Sequence, residues 1–176
     1  GKIQGLGCFL SEDPRIICEG EWYDGVMNGF GKQSGPGNEK YVGEFVRGVK
    51  SGLGRFEGGS TTIVGNFLEG EVCGFCAVVD HERGSRTQGY FKSGAITGFG
   101  CIESLDHEYR YTGGFAQGEY HGKGEELIKG TQYVGEFFEH SRHGIGVYKD
   151  DGGSYLGDWV AGEREGFGVE KFKNKD

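Results

Sequence analysis

Between Tyr41 and Gly54 the chain reads YVGEFVRGVKSGLG. Tyr41, Gly43 and Phe45 alternate with Val42 and Glu44, the period of two that marks a half-buried strand. Arg47-Gly48-Val49-Lys50 supplies a turn, with glycine where a positive φ is needed. A second strand then places Gly52, Gly54 and Phe56 on one face and Leu53 and Arg55 on the other. The stretch predicts a β-hairpin. Glycine weakens a strand interior, and a ring lying over its bare backbone offsets that cost.

The same pattern recurs along the whole chain. Aligned on G-x-[F/W]-x-x-G-x-x-x-G-x-G, the copies begin at Gly20, Gly43, Gly65, Gly89, Gly113, Gly135 and Gly157. Their anchor aromatics are Trp22, Phe45, Phe67, Phe91, Phe115, Phe137 and Trp159, so the period is near 23 residues. Turn signals separate the copies: SEDP (11–14), GPGN (35–38), EGGS (57–60), ERGS (82–85) and DDGG (150–153). Helical periodicity is absent. A fixed period of this length marks a repeat array stabilised by contacts between neighbours, not by one central core.

The repeat resembles the MORN (membrane occupation and recognition nexus) repeat, whose units run Y-x-G-x-[W/F]-x-x-G-x-x-x-G-x-G. Tyr41, Tyr111, Tyr133 and Tyr155 hold the leading position, while Cys18, Ile63 and Thr87 replace the tyrosine. Cys76 stands for the last glycine of its copy and His140 for a turn glycine, which predicts local irregularity of twist within an unchanged fold. The expected architecture is all-β: an elongated, single-layer, twisted antiparallel sheet of consecutive hairpins. Residues 1–176 form one array, with a partial repeat over 1–17 and repeats starting near 18, 41, 63, 87, 111, 133 and 155. GKIQGLG matches the back half of a repeat, so the chain is expected to be a fragment of a longer array.

Composition narrows the partners. Glycine supplies 38 of 176 residues and proline only 2, while aromatics reach 14 %. The net charge of −8 argues against nucleic acid, which rewards basic stripes. No apolar run approaches the roughly 20 residues that span a bilayer. Five irregularly spaced cysteines (8, 18, 73, 76 and 101) point to a reducing, cytoplasmic compartment. The resemblance to MORN proteins implies, in addition, association with cytoskeleton or membrane.

Catalytic chemistry finds no foothold. Gly31-Lys32 is followed by Gln33 and by no helix, so the phosphate-loop pattern fails. His81, His107, His121, His140 and His143 are scattered, with no nucleophile beside them. No cofactor is expected. Cys73 and Cys76 are weak metal candidates, since zinc wants two such pairs. Lys171, Lys173 and Lys175 form a modest basic cluster that could touch lipid headgroups.

Two apolar rows remain. One is the anchor aromatics. The other is the middle residue of the G-x-G triplets: Leu6, Phe30, Leu53, Phe75, Phe99, Ile145 and Phe167. A single-layer sheet cannot bury both faces within itself, so its own curvature, a second copy or a partner must cover one. The expected site is a groove lined by Trp22, Phe45, Phe67, Phe91, Phe115, Phe137 and Trp159, with Glu44, Glu136 and Asp158 supplying polarity toward a basic peptide. MORN proteins, by resemblance, act as non-enzymatic scaffolds that hold a partner segment. The alternatives are a phospholipid-binding module or the regulatory array of a larger enzyme. A homodimer is expected through an end strand or an apolar face.

Overall fold

The computed structural model describes residues 2–12 and 15–173. The turn residues Asp13 and Pro14 and the basic residue Lys175 lie outside the described residues. Fifteen antiparallel strands, β1 (Gly5–Glu12) to β15 (Glu163–Phe172), pair in strict chain order within one open sheet. The only helical turn is the short 3-10 segment Pro36–Asn38 among the described residues. The chain clusters into two compact units. The first runs to Gly84 and includes Phe91–Gly94; the second holds Ser85–Tyr90 and the chain from Ala95 onward.

In the first unit the hairpin of β4 (Lys40–Val46) and β5 (Val49–Gly58) shows the design of every repeat. Val46 pairs with Val49, so the turn is Arg47-Gly48 alone and not four residues long. Both turn residues are left-handed, with φ of 50° and 82°, as a type I′ turn requires. The Gly48 amide donates to the Met27 carbonyl of the preceding repeat at 2.7 Å, and the Gly70, Gly118, His140 and Gly162 amides tie their turns back in the same way.

Gly52 departs from the expected ring face. Gly43 pairs with Gly54 but Glu44 pairs with Ser51, so Gly52 and Leu53 form a bulge. Gly52 takes φ 62°, and a Cβ there would run into the Glu44 carboxylate, not into a ring. Of the two glycines, Gly54 is the ring-covered one: a Cβ on it would lie 2.5 Å from Tyr41 Cζ.

The core is a stack of rings. Tyr41 meets Phe45 and Phe67 edge-on, each at 5.1 Å between centroids. In the second unit Tyr111 stands between Phe115 and Phe137, and Tyr133 between Phe137 and Trp159, in the same T-shaped manner. Such pairs add ~0.5–1.5 kcal/mol each beyond their area burial. The leading tyrosine therefore joins its own repeat to the next.

The repeats without tyrosine compensate. Met27 fills the room over Gly31, and Ile96 the room over Gly100. In the third repeat the missing ring at Ile63 is matched by a side chain at the glycine position, Cys76, only 1 % exposed.

Candidate functional site

The seven anchor aromatics occupy one face and are buried. Trp22, Phe45, Phe67, Phe91, Phe115, Phe137 and Trp159 are only 2–8 % exposed. They are the core and do not line an open groove, because each repeat's rings are closed over by its neighbours. The tryptophans are also satisfied internally: Trp22 Nε1 donates to Gly7 O at 3.0 Å and Trp159 Nε1 to Gly146 O at 3.3 Å.

The opposite face is open. The G-x-G middle residues Leu6, Phe30, Leu53 and Phe75 of the first unit, and Phe99, Ile145 and Phe167 of the second, are 58–91 % exposed. Each middle residue follows a left-handed glycine. Within the first unit, register places Leu6 opposite Glu21, Phe30 opposite Glu44 and Leu53 opposite Asn66. The row thus alternates apolar and polar side chains across successive strands.

The front-strand acids have a local task that the alternation of residues did not reveal. Glu21 accepts the Phe30 amide at 3.1 Å, Glu44 the Leu53 amide at 3.2 Å, and Asp158 the Phe167 amide at 2.9 Å. These amides belong to the bulge and have lost their ladder partner, so the carboxylate replaces it. Glu136 packs against the equivalent bulge at Gly144. Each of these acids sits beside an exposed apolar residue and still presents negative charge to the outside.

The leading hydroxyls face inward. Tyr41 Oη donates to Glu44 O at 3.1 Å and to Ser51 O at 3.4 Å, and Tyr133 repeats this with Glu136 O and His143 O. Burial first, and the Glu44 charge second, push the Tyr41 phenol up to about 12. Cys76 Sγ donates to Asn66 O and Cys73 O, and burial raises its thiol above the ordinary range. The Cys73–Cys76 spacing is therefore used to satisfy a bulge. Among the described residues no group of three His, Cys, Asp or Glu side chains is placed to hold a metal.

The second unit carries a mixed ladder on its ring face. Arg142 pairs with Glu126 through Nη2 at 2.7 Å, and their side chains are only 19 % and 12 % exposed. Arg142 and Arg164 each lie 5.3 Å from the Tyr148 ring, and Arg164 pairs with Glu170 at 2.7 Å.

The MORN repeat model matches residues 18–39, 41–61, 111–128, 133–154 and 155–176, more than half of the chain. The chain belongs to the MORN repeat family. The hairpins over residues 63–110, which the family model passes over, keep the strand pattern with altered ring-face residues. The chain is 31 % identical over 124 residues to the ALS2 C-terminal-like protein of Bos taurus, covering 58 % of this chain and 13 % of that protein. It is 31 % identical over 103 residues to the ALS2 C-terminal-like protein of Homo sapiens, covering 53 % of this chain and 11 % of that protein. The chain thus spans only a small part of the length of these relatives. Among the described residues no helix is long and apolar enough to cross a membrane.

Proposed function

We propose that this MORN array is a non-catalytic interaction module that binds a protein segment through the exposed G-x-G row. The row of the first unit carries the reading: Leu6, Phe30, Leu53 and Phe75 stand exposed between polar positions that include Glu21 and Glu44. A partner segment of alternating apolar and basic side chains complements it. The apolar groups drop into the spaces between strands, and the basic groups meet carboxylates already fixed on the bulges. The same face supports self-association, since exposed apolar rows of this extent are rarely left uncovered. A phospholipid surface is the weaker reading, because the row is acidic and the chain carries −8 overall.

The test is a Phe30→Asp/Leu53→Asp variant. Both residues are exposed, so the unfolding free energy should stay within about 1 kcal/mol of the parent's. Partners cross-linked to the parent should be lost, and sedimentation should show weaker self-association. Unchanged partners in this variant would overturn the assignment of the row. A parent that stays monomeric at high concentration would remove self-association.

A further inference from the structure

Three rungs of the ladder place a cation at the same position, two residues past the second residue of the hairpin turn: Lys50, Arg142 and Arg164. Each lies over the leading tyrosine of its repeat. Lys50 Nζ is 5.3 Å from the Tyr41 ring, Arg142 5.0 Å from Tyr133, and Arg164 4.7 Å from Tyr155. The two arginines are each neutralised by a glutamate at 2.7 Å. Those glutamates, Glu126 and Glu170, occupy one repeat position, two residues past the last glycine of G-x-G. Glu126 reaches its arginine from the preceding repeat, and Glu170 from the same strand.

At Lys50 both supplying positions are neutral. The preceding repeat offers Gln33 where the arginine rung has Glu126, and the same strand offers Phe56 where the other has Glu170. Among the described residues Lys50 makes no ion pair. Its ammonium lies 4.4 Å from the Phe56 ring, half-buried. Gln33 and Phe56 line an open pocket of about 240 Å³ at the same place, with Lys40, Tyr41, Ile16 and the Gly35-Pro36 wall. The acid there is Glu39, beyond ion-pair reach of Lys50 and opposing the burial that lowers the lysine's proton affinity.

We infer that this pocket binds a carboxylate from outside the repeat, an acidic side chain of a partner protein, which completes at Lys50 the pair that the arginine rungs complete internally. The apolar walls receive the methylene stem. Lys50 and Lys40 receive the charge, and the Gln33 amide can donate to the second oxygen. A partly desolvated cation gains more from such a partner than an exposed lysine does. The arginine rungs set the preference, since each of them is completed by a singly charged carboxylate. The inference rests on the reading that the array binds protein, but its test uses a small probe and can fail independently.

The experiment follows the side-chain NMR signals of isotope-labelled lysines as N-acetyl-glutamate N-methylamide is added. A saturable shift is expected at Lys50 and Lys40, with a Kd on the order of 1 mM for one isolated side chain, weakening with salt. Lys50→Met should abolish it in a chain whose circular dichroism is unchanged. Gln33→Glu is the sharper variant: it supplies the carboxylate within the chain, so it should raise the melting temperature and cut probe affinity at least tenfold. No saturable shift in the parent, or full affinity in a folded Gln33→Glu chain, would overturn the site. Tighter binding by inorganic phosphate, or a Lys50 shift only with phosphatidylserine vesicles, would overturn the carboxylate assignment.

Discussion

At the scale of single residues, the third repeat shows two substitutions acting as one. Tyr41 and Cys76 occupy different positions of their repeats, yet their polar hydrogens meet corresponding carbonyls: Glu44 and Ser51 for the hydroxyl, Asn66 and Cys73 for the thiol. Those carbonyl pairs flank the same bulge in successive hairpins. Losing the ring at Ile63 opens the space over the back-strand position, and a side chain at that position fills it. Cys76→Gly alone should therefore cost about 1–3 kcal/mol, from a cavity and two carbonyls left without a donor. Ile63→Tyr alone should also destabilise, because the ring collides with the thiol. The double variant should recover most of the loss, and a double-mutant cycle by denaturant unfolding measures this. Additive losses would show that the two positions are not coupled. The sequence marks Cys76 as a departure from the repeat, but the reason is invisible there, because it requires knowing which carbonyls face the vacated space.

At the scale of the hairpin, strand alternation gave the pairing and the anchor row correctly, and it misjudged where the alternation is interrupted. Gly52 and Gly54 look equivalent two residues apart. The bulge separates them, so one is a conformational requirement and the other a packing requirement. A two-face alternation cannot say which face closes on itself, and T-shaped packing between consecutive rings decides it. Gly52→Ala should cost about 1–2 kcal/mol from the left-handed backbone, plus the clash with Glu44. Adding Glu44→Ala removes the clash but also the acceptor of the Leu53 amide, so thermal unfolding should still show at least about 1 kcal/mol of loss. Full recovery in that double variant would mean that Gly52 is kept for space alone. The turn position shows a natural case of the same kind: His140 holds φ 64° where other repeats carry glycine, as at Gly48, and its ring packs 4.7 Å from Tyr120.

At the scale of the whole chain, the topology makes stability local. Every strand pairs with its chain neighbours, and the main contacts between elements follow the same rule. The array therefore behaves as a sum of repeats and of interfaces between adjacent ones. Tyr133 is the place to test this, since it joins Phe137 to Trp159 and donates to two bulge carbonyls. Tyr133→Ala should remove about 3–5 kcal/mol from its own interface, the range for deleting a buried aromatic side chain. In a chain with one global core that loss would speed amide exchange everywhere by one factor. Here the loss of protection should centre on the strands Thr131–Phe138, Ser141–Lys149 and Gly153–Val160. Amides of Arg15–Tyr23 and Lys40–Val46 should keep their parent rates. Hydrogen–deuterium exchange resolves the two outcomes directly. A uniform increase across the chain would show that the repeats unfold as one cooperative body, and it would remove the basis for treating each rung's exposed row and pocket as separable sites.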